Sequence, residues 1–294
     1  MVGKMKETVS IIGCGTVGTA IGKLLARAGY RIAGVATRSP ETASTAAKAV
    51  GAERFSDASW DMSQGAQVVF ITTPDDVIQA TCEAIASHKG LATGAVVIHC
   101  SGALSSGILS SARDCGATVA SLHPLQSFAS VDQAERLVPG SFCAVEGDKE
   151  ALPVVRQIVR DLGGTLIEII PGGKILYHAA AVAASNYMVA LVHLALELNR
   201  VAGLSPELSF KVLQPLIKGT LSNIDTKGIP EALTGPIARG DVDTVTAHLE
   251  AMEQRTPEVL ALYRSLGCYT VGLAKEKGTL SEEGAEKLIA LLGK

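Results

Sequence analysis

Lys174, His178 and Ser185 are spaced so that one helix face would carry all three. At about 100° per residue, roughly 40° separates Lys174 from His178, and Ser185 returns to within about 20° of Lys174. Alanines fill much of the stretch between them, which keeps that face low enough for a small molecule to approach the backbone; Asn186, Tyr177 and Tyr187 border it. A lysine ammonium or an imidazolium can give its proton to an oxygen that is becoming an alkoxide, while a hydroxyl or amide holds the rest of the molecule. Lys174 and His178 are therefore candidate proton donors, with Ser185 and Asn186 as candidate substrate anchors. A capped or solvated role explains one such residue more easily than three in register.

An alkoxide forms when hydride reaches a carbonyl carbon, and residues 8–39 could hold the hydride carrier. An apolar run at 9–12 breaks into Gly13-Cys14-Gly15-Thr16-Val17-Gly18, a helical pattern follows until Gly29, and a second apolar run occupies 32–36. That is the strand, turn, helix and strand of a dinucleotide-binding unit. Gly13 permits the sharp exit from the strand, Gly15 lets backbone approach a pyrophosphate, and Gly18 lets the helix pack closely on the sheet. Thr16 and Val17 open the helix, whose free N–H groups would face the anion. The second strand ends in Thr37, Arg38 and Ser39, and the first acid is Glu41. A site for NAD places a carboxylate there to bind the ribose hydroxyls, whereas an arginine fork between hydroxyls suits a 2′-phosphate, so NADP(H) is the expected cofactor.

Other candidates stand at the ends of later apolar runs. Thr73 and Pro74 follow 67–72, Ser101 follows 95–99, and His123 follows 117–122. Each would lie at the carboxyl edge where open α/β sheets bind ligands. His123 is a third candidate proton donor, biased to extended backbone by Pro124; Ser101 is a candidate substrate contact. Arg239, in a turn-rich segment at 233–241, could pair with a substrate carboxylate or with an acid of its own domain, and Asp241 after it reads as a helix cap. His88, His99, His193 and His248 read as structural.

Alternating apolar runs and helical patterns continue to Pro171, with a last βαβ crossover made from 141–145, a helix at 149–162, and 165–170. After Pro171-Gly172-Gly173 the strand signal stops. Helical patterns run to Val201 and over 206–218, 241–254, 256–277 and 281–292. The expected fold class is α/β: a doubly wound, mostly parallel sheet over residues 1–171, followed by an all-helical domain over 172–294. The 294 residues suffice for both. A net charge of -3 and no basic run argue against nucleic acid and against an anionic membrane surface. The polar first residues contain no apolar signal core, so a cytoplasmic location is expected. Residues 179–198 are apolar but include Ser185, Asn186, His193 and Glu197, which favours a buried helix over a membrane span. Six cysteines lack C-x-x-C spacing, so no metal site is expected, and reduced thiols are.

The chain resembles a family of predicted NADP oxidoreductases in the 6-phosphogluconate dehydrogenase-like superfamily, which pair a Rossmann-like domain with a helical C-terminal domain of unknown function. The matching motifs are Gly13-x-Gly15-x-x-Gly18, His99-Cys100-Ser101-Gly102, the run His123-Pro124-Leu125-Gln126-Ser127-Phe128, the stretch from Tyr177-His178 to Ser185-Asn186-Tyr187, and Leu233-Thr234-Gly235-Pro236-Ile237-x-Arg239-Gly240-Asp241. The resemblance implies NADP use and a homodimer formed through the helical domain. In the more distant ketopantoate reductases and β-hydroxyacid dehydrogenases, a helix-borne lysine gives the proton and an asparagine about one turn later anchors the substrate. Here Lys174 is followed by His178, with Asn186 further along. The resemblance names no substrate; the expected activity is hydride transfer between NADPH and a small keto or hydroxy acid, ketopantoate being one candidate, and a cofactor-binding regulatory or scaffold protein without turnover is the alternative.

Overall fold

The computed structural model describes residues 6–170 and 172–294. Its first part is an eight-stranded sheet: β1 (Thr8–Ile12), β2 (Arg31–Ala36), β3 (Phe55–Ser56), β4 (Val68–Ile71), β5 (Val96–His99), β6 (Thr118–Pro124), β7 (Phe142–Gly147) and β8 (Thr165–Glu168). The order is β3-β2-β1-β4-β5-β6-β7-β8, parallel throughout except where β7 runs antiparallel to β6. Val68, Val69, Phe70 and Ile71 are all fully buried although alternate side chains point to opposite faces, because helices cover both. Those helices are α1 (Thr16–Arg27), α2 (Pro40–Val50), α3 (Ser59–Ser63), α4 (Ile78–Ser87), α5 (Ser110–Asp114), α6 (Val131–Leu137) and α7 (Leu152–Asp161). The two-residue β3 and the short α3 and α6 lie where the sequence shows little periodicity.

The chain reverses direction across the sheet at β1 and β4, so the glycine turn and Thr72-Thr73-Pro74 meet at the switch point. Two glycines are fixed there by packing. A Cβ on Gly18 would lie 2.2 Å from the Gly13 carbonyl and 2.3 Å from Thr72 Oγ1, and one on Gly13 (φ +93°) would lie 2.7 Å from the Thr73 nitrogen. Around Gly15 nothing lies within 4 Å of a Cβ.

Helix α8 (Lys174–Ala184) follows, and α9 (Asn186–Val201) begins after a break at Ser185 (φ -114°, ψ -67°). Then come α10 (Pro206–Lys227), α11 (Val242–Arg255), α12 (Pro257–Glu276) and α13 (Glu282–Leu292), and among the described residues no strand occurs after β8. Helix α10 outruns the expected 206–218, passing through Pro215 until Gly228 (φ +74°) stops it. Val245, Leu249, Val271 and Leu288 form the core of α11–α13.

The compact units divide between Asn186 and Tyr187, with α8 in the first unit, where Lys174 fastens it to the strand ends; Pro171, the expected boundary, lies outside the described residues. The apolar helix expected to be buried is largely exposed: Lys174–Val201 is long and apolar enough by composition to cross a bilayer, yet only 6% of its most apolar window is buried. The six cysteines are free thiols.

Substituting Gly18→Ala forces α1 away from Gly13 and Thr72. A loss of about 1–3 kcal/mol in denaturation free energy is expected; an unchanged urea midpoint would contradict this packing.

Candidate functional site

The crevice at the β1–β4 switch point is built from backbone. Gly15 is the N-cap of α1, no side chain caps that helix, and its first turn holds no acid, so nothing negative competes with an anion. Thr73 Oγ1, at the end of β4, is buried without a hydrogen-bond partner. At the end of β2, Ser39 caps α2 by accepting from the Thr42 N–H, and the Thr37 hydroxyl donates to the Ser39 carbonyl (3.0 Å). Arg38 projects from this hydroxyl cluster, exposed, with no ion pair among the described residues. Thr42, not anticipated, completes the cluster through its bond to Thr37. The open space at Gly15 and the uncapped helix fit the pyrophosphate of a dinucleotide. Burial pushes the Cys14 thiol up to about 12, so it is inert beside that crevice.

A second cluster stands at the carboxyl ends of β5 and β6. Lys174, in the first turn of α8, is 3% exposed; its Nζ donates to the Ser101 carbonyl (2.6 Å) and to the Ser121 hydroxyl. Burial lowers its pKa to about 8, against the opposing charges of Glu146 and Asp75. The Ser101 hydroxyl donates to Asp75 (2.7 Å) and accepts from the Ala103 and Leu104 N–H groups, and its own N–H donates to His99 Nδ1 (3.1 Å). Glu146 accepts from the Ser106 hydroxyl (2.8 Å) and N–H, so the turn from His99 to Ser106 is fastened on several sides.

On that turn, Gly102 leaves room for two imidazoles: a Cβ there would lie 2.5 Å from His178 Nδ1 and 3.0 Å from the His123 ring. His123 Nδ1 and the Tyr177 hydroxyl are 3.2 Å apart, and His178 Nδ1 is buried with no partner. His123 is held at about 4 by burial, then by the Lys174 charge and His178. Burial raises Tyr177 to about 12. His123, His178, Lys174 and Ser101 thus come together as expected from the sequence. Ser185 and Asn186 do not join them; both are exposed, past the helix break. Arg239 lies in the other compact unit, exposed and with no ion pair among the described residues, while Asp241 caps α11 by accepting from the Thr244 N–H. Ser121 and Glu146 were missed, since a serine inside an apolar run or an acid at its end carries no periodic signal; Gly102 was named only within the His99–Gly102 motif.

Two family models match the chain: a Rossmann-like domain over residues 2–124 and a domain of unknown function, DUF2520, over residues 141–270. Protein TM1727 from Thermotoga maritima is 30% identical, with 92% of this chain and 99% of that one covered and a TM-score of 0.70. This chain belongs to the family that joins a Rossmann-like domain to DUF2520. The fold of this Rossmann–DUF2520 protein is shared with a candidate NADP oxidoreductase, BF3122 from Bacteroides fragilis (22% identity, 91% and 99% covered, TM-score 0.74). It is also shared with a pyrroline carboxylate reductase from Plasmodium falciparum solved with NADP bound (16%, 99% and 100%, 0.57). Among curated proteins none matches. The DUF2520 match begins near β7, so it takes in β8, α7 and the helix that carries Lys174 and His178.

His99, fully buried, is lowered from 6.5 to about 4 by burial and then by Lys174. Between those values the unfolded chain binds the proton that the folded chain refuses, so stability falls as pH drops below 6.5. Between pH 7 and pH 5 the wild type should lose about 2 kcal/mol more than His99→Asn. Equal losses in urea denaturation at the two pH values would contradict the burial of a neutral His99.

Proposed function

We propose that this protein is an NADP(H)-dependent oxidoreductase acting on a small keto or hydroxy acid. The observation that carries the reading is the presence, along one sheet edge, of an uncapped helix N-terminus over an open Gly15 and a histidine–tyrosine group around Gly102. The fold shared with BF3122 and with the NADP-bound pyrroline carboxylate reductase supports it.

Backbone N–H groups of Gly15, Thr16 and Val17 would hold the pyrophosphate, and Arg38 with Thr37 and Ser39 the 2′-phosphate, while Thr73 and Pro74 border the crevice. When bound, NADPH supplies a hydride to an electrophilic carbon. The protein's own part is to place the carbonyl oxygen near Gly102 and give it a proton as C=O becomes C–OH. His178 and the His123–Tyr177 pair are the proton carriers there. A proton that leaves the Tyr177 hydroxyl can be replaced from the His123 side of their hydrogen bond, and ultimately from water.

Fluorescence titration should show NADPH binding more tightly than NADH, and Arg38→Asp should cost NADPH about tenfold or more through the lost charge-assisted bonds. Gly15→Val, which has open space for its side chain, should abolish NADPH binding with an unchanged melting temperature. Equal affinity for both dinucleotides, or tight binding by Gly15→Val, would remove the crevice from the account. NADPH oxidation is to be followed with 2-keto and 3-keto acids; binding without turnover on any of them would favour the scaffold.

We also infer a homodimer formed through the helical unit. Val189 on α9 and Phe210 and Leu216 on α10 are 70%, 46% and 67% exposed, amid further exposed leucines. Apolar surface of this extent calls for a cover. A second copy suits it better than a bilayer, because the apolar stretch breaks at Ser185 and its first helix is fastened to the sheet by Lys174. Light scattering should give twice the chain mass, and Val189→Glu with Leu216→Glu should give a folded monomer; a monomeric wild type would contradict the inference.

A further inference from the structure

We propose that Lys174 is a positioning residue, not the proton donor: its ammonium, held between the Ser101 carbonyl and the Ser121 hydroxyl, fixes α8 so that Tyr177 and His178 meet His123 over Gly102. This inference rests on the reading of that edge as a reductase site.

Lys174 is 3% exposed, and its Nζ points into the strand ends, where two acceptors already engage it. A donor to substrate must reach the reacting oxygen within hydrogen-bond distance. Among the described residues, by contrast, His178 Nδ1 faces Gly102 without a hydrogen-bond partner, and the Tyr177 hydroxyl meets only His123.

Helix geometry supplies the link between them. Positions i+3 and i+4 share a face with position i, so a lysine driven into the sheet at 174 necessarily turns Tyr177 and His178 toward the same strand ends. No side chain caps α8, whose N-cap is Gly173, so the lysine is the polar tether of its first turn. The same ammonium reaches the backbone of Ser101, the residue before Gly102. One buried charge thereby fixes both the helix that brings the proton carriers and the turn that receives them. Its lowered pKa, about 8, fits a charge kept for its hydrogen bonds at neutral pH.

The test uses the full chain labelled with 15N-histidine, as wild type and as Lys174→Met, Ser121→Ala, the double variant, and the exposed control Lys48→Met. Ring signals are recorded with and without saturating NADPH. Expected are displaced His123 and His178 signals in Lys174→Met, a smaller displacement of the same signals in Ser121→Ala, no further change in the double variant, and none in Lys48→Met. NADPH affinity should be unchanged in all four. With a keto acid that the wild type reduces, kcat of Lys174→Met should fall by about a hundredfold while the pH profile keeps its midpoint, since misplacing the groups slows the step without removing the titrating one. Unmoved histidine signals in Lys174→Met, or the loss of a limb of the pH profile, would overturn the proposal and make the lysine the donor. Should Lys174→Met not fold, unmoved signals in Ser121→Ala overturn it alone. A wild type that fails to bind NADPH removes the reductase reading but not the ring measurement, so the two failures are distinguishable.

Discussion

Helix α1 approaches the ends of β1 and β4 so closely that no Cβ fits at Gly18, and a carbonyl and a threonine hydroxyl occupy the space. Much else in the first compact unit follows from this contact. It brings the N-terminus of α1 to the switch point of the sheet, it leaves Gly15 facing open space, and it places Thr73 at the rim. A larger residue at 18 would tilt the helix dipole away from the switch point of the sheet. The crevice at this switch point is shaped by side chains that are absent more than by side chains that are present.

The second constraint is electrostatic. Lys174, Asp75 and Glu146 are joined through the turn from His99 to Ser106, and the lysine charge is among the causes that hold His99 and His123 neutral. A neutral imidazole can pass a proton along a hydrogen bond to Tyr177, which a permanently charged one could not do as readily. The polar groups at this edge therefore divide into Lys174, Asp75 and Glu146, which fasten the turn, and His123, Tyr177 and His178, which do not.

Much of this could be read from the residues alone, for a physical reason. Parallel strands covered on both faces leave continuous apolar runs, glycine turns interrupt them, and residues just past each run fall at one edge; Gly13, Gly15, Gly18, Ser101 and His123 were found in that way. The helical stripe foretold that Lys174 and His178 would share a face, but not that the lysine would point inward, because a 3.6-residue period does not say what lies opposite. Ser185 was misplaced since nothing in the alanine-rich run signals the helix break. Ser121 and Glu146 gave no signal because their partners lie far away in sequence. The apolar stretch at 179–198 was expected to be buried and is largely exposed, because composition does not say what lies against an apolar helix.

A crystal structure of the protein grown with NADPH tests the central claim most directly. The account predicts density for the pyrophosphate against Gly15 and the start of α1, with the 2′-phosphate at Arg38 and the nicotinamide on the Gly102 side of the switch point. An empty crevice in crystals saturated with NADPH, or a dinucleotide bound elsewhere on the chain, would contradict it.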